Sequence, residues 1–230
     1  MKTYICHYPK LKERLVYLIP ALYENNINDV EVVNGISRYE INESHKKIFS
    51  NDFSIMEKRF NDYNMPKQPK YDIFLDIEKP VLANFLTHID IWTKISHSDS
   101  EYCLVLEDDA VIANDFKKNW NRVIAEFPND LDIAYLHDGC GFTVKNKLNI
   151  EETPEQIFYR CPVQESRTCC SYIISKSFCD NLLKSLYPII MGVDHEMNYL
   201  QRKLNANVYW TAPVLFHEGS GTKYNKSYTR

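Results

Sequence analysis

The run Tyr102-Cys103-Leu104-Val105-Leu106-Glu107-Asp108-Asp109 sets a short apolar segment directly against three consecutive carboxylates. Apolar residues without alternation read as a strand buried on both faces. Three acids at the end of such a strand repel one another. An oxygen-preferring divalent cation removes that repulsion, because carboxylates suit Mg2+ or Mn2+. Ligands of open α/β sheets collect beyond the carboxyl ends of the strands. The run therefore predicts a metal–diphosphate site at the edge of an α/β sheet. The same residues also read as an acidic turn that caps the next helix.

The elements that must position these acids are legible on both sides. Thr3 to His7 reads as a first strand, and Leu11, Leu15, Leu18 and Leu22 follow at helical spacing. Pro20 is expected to kink or end that helix near Ile19. Val30 to Val33 reads as a second strand, with Asn34-Gly35 as its turn, so the chain opens as a right-handed β–α–β unit. Pro80 to His97 is a helix with Leu82, Phe85, Leu86, Ile89, Trp92 and Ile95 on one stripe. After the acids, Asn114 is placed to cap a helix that carries Phe116, Trp120 and Val123. Asp132 to Leu136, Cys169 to Ile174 and Asn207 to Trp210 read as further strands. Ser175 caps a helix, Asp194 to Leu204 is helical, and Phe216 to Arg230 reads as a loop. Residues 36–79 and 140–168 lack clear periodicity and read as irregular insertions. The expectation is one α/β domain over residues 1–230 with a central, mostly parallel sheet.

Composition narrows the partners. The chain has 230 residues, 27 basic and 31 acidic side chains, and a net charge of −4. That balance gives no support for nucleic-acid binding. No segment reaches the roughly 18 apolar residues of a membrane span, and the start lacks the apolar core of a secretory signal. Seven cysteines occur without Cys-x-x-Cys spacing. A disulfide framework is not expected, and a reducing, cytoplasmic location fits. Peripheral membrane association stays open.

Several separated segments resemble one family in the right order. They are Tyr4-Ile5-Cys6-His7-Tyr8-Pro9-Lys10-Leu11-Lys12-Glu13-Arg14, Val32-Val33-Asn34-Gly35, Thr87-His88, the acidic run, Ser171-Tyr172-Ile173-Ile174-Ser175, and Val193-Asp194. Together they resemble glycosyltransferase family 25, which includes lipooligosaccharide and procollagen galactosyltransferases. The resemblance implies a GT-A nucleotide-sugar fold, a UDP-sugar donor, most often UDP-galactose, and an inverting transfer. His7 stands where the family usually has Asn, and Asn34 where it has Asp. Those departures bear on the nucleotide pocket or on the sugar chosen.

Within that reading the residues take roles. Asp109 is the first choice of metal ligand, and Glu107 would hold the ribose or a metal-bound water. Strand alternation would turn Asp108 away. His217 is a further ligand by analogy with GT-A enzymes, and otherwise a surface or core-edge histidine. Arg14 and Lys10 would meet diphosphate or uridine near a helix N-terminus, or else be solvated charges. His7 falls in the nucleotide pocket. His88 is either a substrate contact or a core histidine. Asp194 would act as the base that takes the acceptor proton, although a helix N-cap also explains it. Glu196 is the alternative base. The acceptor would be a glycan, glycolipid or hydroxylated protein, held by the two insertions. Metal-dependent nucleotidyl transfer, phosphoester hydrolysis, or non-catalytic binding of a nucleotide or carbohydrate are the competing readings.

Overall fold

The computed structural model describes residues 1–50, 52–63 and 79–219. Seven strands form the central sheet: β1 (Lys2–His7), β2 (Val30–Asn34), β3 (Tyr102–Glu107), β5 (Ile133–Tyr135), β6 (Phe158–Arg160), β7 (Ser171–Ser175) and β8 (Val208–Thr211). Their order is β2-β1-β3-β7-β5-β8-β6. Five of them run in one direction, while β7 and β6 oppose their neighbours. The sheet is thus mostly parallel, as expected, with a reversed strand near its centre. A second small sheet pairs β4 (Ala110–Ile112) with β9 (Phe216–Glu218).

Both faces of the central sheet are covered. Cys103 and Val105 of β3 join one apolar cluster with Phe85, Trp92 and Leu182. Leu104 and Leu106 face the other cluster, with Leu18, Leu22 and Val123. The first face is packed by α4 (Lys79–Ser96), α6 (Lys176–Ser185) and α7 (Val193–Lys203), and the second by α1 (Lys12–Glu24) and α5 (Phe116–Ala125). Burial on both faces explains why β3 reads as an unbroken apolar run.

Some local expectations need correction. Helix α1 continues through Pro20 to Glu24. Leu18 and Leu22 are anchored in the core on either side, while Val16 and Pro20 lie on the exposed face. Water can therefore satisfy the carbonyl that proline leaves without a partner. The α5 N-cap is Asp115, in a left-handed conformation, and not Asn114. The α7 N-cap is Gly192, so capping does not explain Asp194. Phe216–Glu218 forms β9 where a loop was expected, because β4 offers it a pairing edge.

The two insertions are also more ordered than their sequence suggests. α2 (Glu43–Lys46) is capped by the Asn42 side chain and α3 (Phe53–Asp62) by that of Asp52. Residues 64–78 of the first insertion lie outside the described residues. Arg59 of α3 is buried, bonds Glu196 and the Pro188 carbonyl, and lies 4.0 Å over the Tyr199 ring. The second insertion holds a 3₁₀ turn at Gly139–Gly141, a π turn at Val144–Leu148, and β6. Arg167 closes it by donating to the Phe142 and Thr211 carbonyls, with its guanidinium 4.6 Å over Trp210.

The Arg59–Glu196 pair yields a stability prediction. Removing one partner of a buried pair typically costs about 3–5 kcal/mol, whereas replacing both with apolar groups is often near neutral. Arg59→Met should lower stability by about that amount in urea unfolding, and adding Glu196→Leu should recover most of it. Equal stability of wild type and Arg59→Met would show that the pair does not hold α3 in place.

Candidate active site

A cleft of about 280 Å³ opens at the carboxyl ends of β1, β2 and β3. Its floor is the acid triplet Glu107, Asp108 and Asp109. One wall is built from the β1 and β2 ends, with His7, Tyr8, Arg14, Gly35 and Arg38. The other carries Thr168, Cys169 and Asp194, and α4 contributes Asn84 and Thr87. Gly35 is required for this closure. A Cβ there would stand 2.3 Å from the Thr87 hydroxyl. Its amide donates to the His7 carbonyl at 2.8 Å, which ties the two strand ends together.

The three acids face three different surroundings. Asp108 is buried and turned into the β1–α1 corner. Its Oδ2 lies 2.7 Å from His7 Nδ1 and accepts from the Tyr8 amide at 3.0 Å. Its Oδ1 accepts from Arg14 at 2.6 Å. Asp108 therefore does not cap a helix. It holds the two residues expected at the nucleotide, and the Arg14 charge is balanced before any ligand arrives. Arg14 also reaches Asp109 Oδ2 at 3.7 Å.

Glu107 is held by two groups one helical turn apart on α4. Asn84 Nδ2 donates to its Oε1 at 2.9 Å, and His88 Nε2 lies 3.4 Å from the same oxygen. Burial pushes the Glu107 carboxyl up. The hydrogen bonds from His88 and from the Asn84 amide oppose burial and leave it below its ordinary value. Asp109 goes the other way, to about 7, through burial and the Glu107 charge; Arg14 lowers it, and Asp108 and Glu218 raise it further.

Several expected positions fall differently. His88 is fully buried and reaches the site only through Glu107. Lys10 is not at the cleft; its ammonium sits 4.2 Å over the exposed Tyr39 ring. His217 is half-exposed and bonds Asp138 at 2.9 Å, so its ring does not join Asp109. Adjacent strand residues point to opposite faces, and Glu218 is the β9 residue that lines the cleft. Among the described residues, no three His, Cys, Asp or Glu side chains are gathered as a cation cage. The donors present still suit a hard cation, which commonly takes one or two carboxylates and fills its other positions with phosphates and water. Asp109, paired with Glu107 or with Glu218, would be such a set.

Asp194 faces the acids from the first turn of α7. Its carboxyl is pushed up to about 6 by burial and by the Glu107 charge, with the Cys169 thiol and His88 opposing. Glu196 is corrected as an alternative base. It is fully buried, receives Arg59 and the Met191 amide, and does not line the cleft. Thr168, beside Cys169, has a positive φ of 72°. Such a conformation is costly for a β-branched residue and places local strain on the cleft wall.

Opposite effects on stability should separate the neighbouring acids. Asp108→Asn should lose about 3–5 kcal/mol, because Arg14 is left buried without its carboxylate. Asp109 has a folded pKa above its unfolded one, so its ionisation weakens folding as pH rises from about 4 to about 7. Asp109→Asn should therefore match or exceed wild-type stability at pH 8 and lose that advantage near pH 4. Thermal melts of both variants at the two pH values test the assignment; a destabilised Asp109→Asn at pH 8 would reverse it.

Comparison with known proteins agrees with the geometry. The model of glycosyltransferase family 25 (LPS biosynthesis protein) matches residues 1–197. A search of curated proteins found no match. A crystal structure of S. aureus TarS 1-349 aligns at 16% identity with a TM-score of 0.43, over 94% of this chain. The chain spans 60% of that structure's length, and the likeness is too slight to bear on activity. With its model matched over most of the sequence, the chain belongs to glycosyltransferase family 25.

Proposed function

We propose that this chain transfers a hexose, most readily galactose, from a UDP-sugar to a hydroxyl of a glycan, glycolipid or hydroxylated protein, with inversion at the anomeric carbon. The observation that carries this reading is the pairing across one cleft of the acid floor with Asp194, whose carboxyl sits near 6. A general base is most effective when its pKa lies close to the working pH. Desolvation and a neighbouring carboxylate provide that tuning here.

In this reading the donor lies along the β1–β3 ends, with its nucleoside toward His7, Tyr8 and Arg38. Arg14, already fixed by Asp108, is oriented toward the diphosphate. Asp194 takes the acceptor hydroxyl proton. The acceptor oxygen bonds to the anomeric carbon as the bond to the diphosphate oxygen breaks, and UDP leaves. A divalent cation held by Asp109, with Glu107 or Glu218 close by, would supply Lewis-acid stabilisation of that leaving diphosphate. The insertion segments would shape the acceptor side, since loops on a rigid scaffold set specificity.

A cytoplasmic setting accords with seven free cysteines, six of them buried. No helix among the described residues is long and apolar enough to cross a membrane. Attachment to a membrane surface belongs to the same proposal if the acceptor is a glycolipid.

The deciding assay is incubation with Mn2+ and a panel of nucleotide sugars, followed by measurement of donor hydrolysis and transfer. UDP-galactose turnover supports the proposal. Binding without turnover favours a non-catalytic domain, and phosphodiester cleavage without sugar transfer favours a phosphoesterase.

Asp194 carries a pH prediction as well. Only its ionised form can accept a proton, so kcat should rise with pH through about 6 and then level off. Asp194→Asn should cost roughly 10²–10⁴ in kcat while UDP binding survives. A flat profile between pH 5 and 7, or near-normal transfer by the folded variant, would eliminate Asp194 as the base.

A further inference from the structure

Asn84, His88 and Trp92 recur at every fourth position of α4, and each presents a polar atom toward the sheet. Behind Glu107 they make a continuous hydrogen-bonded chain. Trp92 Nε1 donates to the Tyr172 hydroxyl at 3.0 Å. That hydroxyl lies 2.9 Å from His88 Nδ1. His88 Nε2 lies 3.4 Å from Glu107 Oε1. Trp92, His88 and Tyr172 are all fully buried, so an unmade hydrogen bond among them would be costly.

The direction of this chain follows from its donor inventory. Indole N–H can only donate, and a tyrosine hydroxyl has one proton. Tyr172 accepts from Trp92, which leaves its own proton for His88 Nδ1. Nδ1 is then an acceptor, and the ring proton sits on Nε2, facing Glu107. The opposite tautomer would set two N–H groups on one hydroxyl and leave the tyrosine proton without an acceptor among the described residues. It would also turn the Nε2 lone pair toward a carboxylate oxygen. Asn84 is fixed in the same way. The Cys6 thiol donates to its Oδ1 at 3.3 Å, which leaves Nδ2 to donate to Glu107.

We propose that Trp92, Tyr172 and His88 are positioning residues that fix the Nε2–H tautomer of His88. Together with Asn84 they clamp Glu107 by Oε1 and leave Oε2 to the cleft. Glu107 is then a pre-set acceptor, rather than a side chain that must reorder when the donor binds. Partners of this kind are typically worth about 10- to 100-fold in affinity or activity at the group they orient. The activity consequence rests on the donor-site reading of Glu107. The tautomer does not.

The test is a long-range proton–nitrogen NMR spectrum of ¹⁵N-histidine-labelled full-length protein, with the His88 signals assigned by His88→Gln. Wild type should show His88 as the Nε2–H tautomer. Tyr172→Phe, which removes the hydroxyl and little else, should shift the Nδ1 signal as its hydrogen bond is lost, and lower kcat/KM for the donor about 10- to 100-fold, with the fold retained by circular dichroism. Trp92→Phe frees the tyrosine proton to turn and should weaken the lock in the same direction, which provides a second variant if Tyr172→Phe does not fold. His88→Gln retains an N–H donor for Glu107 and should keep more activity than His88→Leu. An Nδ1–H tautomer in wild type would overturn the proposal without reference to any variant. So would a Tyr172→Phe protein with an unchanged Nδ1 signal and unchanged kcat/KM. If wild type transfers no sugar at all, the donor-site reading fails while the spectrum still decides the chain.

Discussion

A carboxylate taken out of water must be matched by donors, and Asp108 is where this fold meets that demand. Its two oxygens collect the His7 ring, the Tyr8 amide and the Arg14 guanidinium. Those groups come from the end of β1, the loop after it and the first turn of α1. One side chain from the turn after β3 thus sets how the first strand hands over to the first helix. The cleft wall expected to meet a nucleotide is formed by the same residues. Its shape is therefore maintained by an internal charge balance before any ligand contributes.

The neighbouring acids show how position divides similar groups. Glu107 is surrounded by donors and stays acidic, whereas Asp109 is desolvated among other carboxylates and becomes a weak acid. Asp194 is tuned upward by burial and then by the same Glu107 charge. The cleft therefore holds one strongly ionised carboxylate and two whose charge is poised near neutrality. Such separation of pKa values is the usual physical basis for dividing labour among acids in an active site.

Much of this was legible in sequence where a single physical signal dominated. The abrupt end of an apolar run in acids located the cleft floor, and the stripe of α4 located the helix behind it. The reversal of β7 between β3 and β5 left no trace, since a strand buried on both faces reads alike in either direction. Asp194 is the first choice of base and Glu196 the alternative, but residues two apart on a helix point about 200° apart. Only one of them can face the cleft. His217 was expected at the metal and its neighbour Glu218 was not considered, because the segment is too short to reveal its strand alternation. Asn84 and Tyr172 were overlooked because each sits in an apolar context. The signal for Asn84 was the recurrence of hydrogen-bonding side chains at 84, 88 and 92 within an otherwise oily stripe.

The docking of α3 bears on how modular this fold can be. Arg59 belongs to the first insertion, yet its carboxylate partner Glu196 lies two residues beyond Asp194 on α7. Replacing the first insertion with one that lacks a cation at position 59 would leave the Glu196 anion sealed in the core. Natural recombination and laboratory grafting face the same boundary condition. The first insertion can be transplanted as a loop only if position 196 travels with it or is made apolar in the recipient. The unit of inheritance for this surface is therefore a pair of segments distant in sequence, not one contiguous insertion.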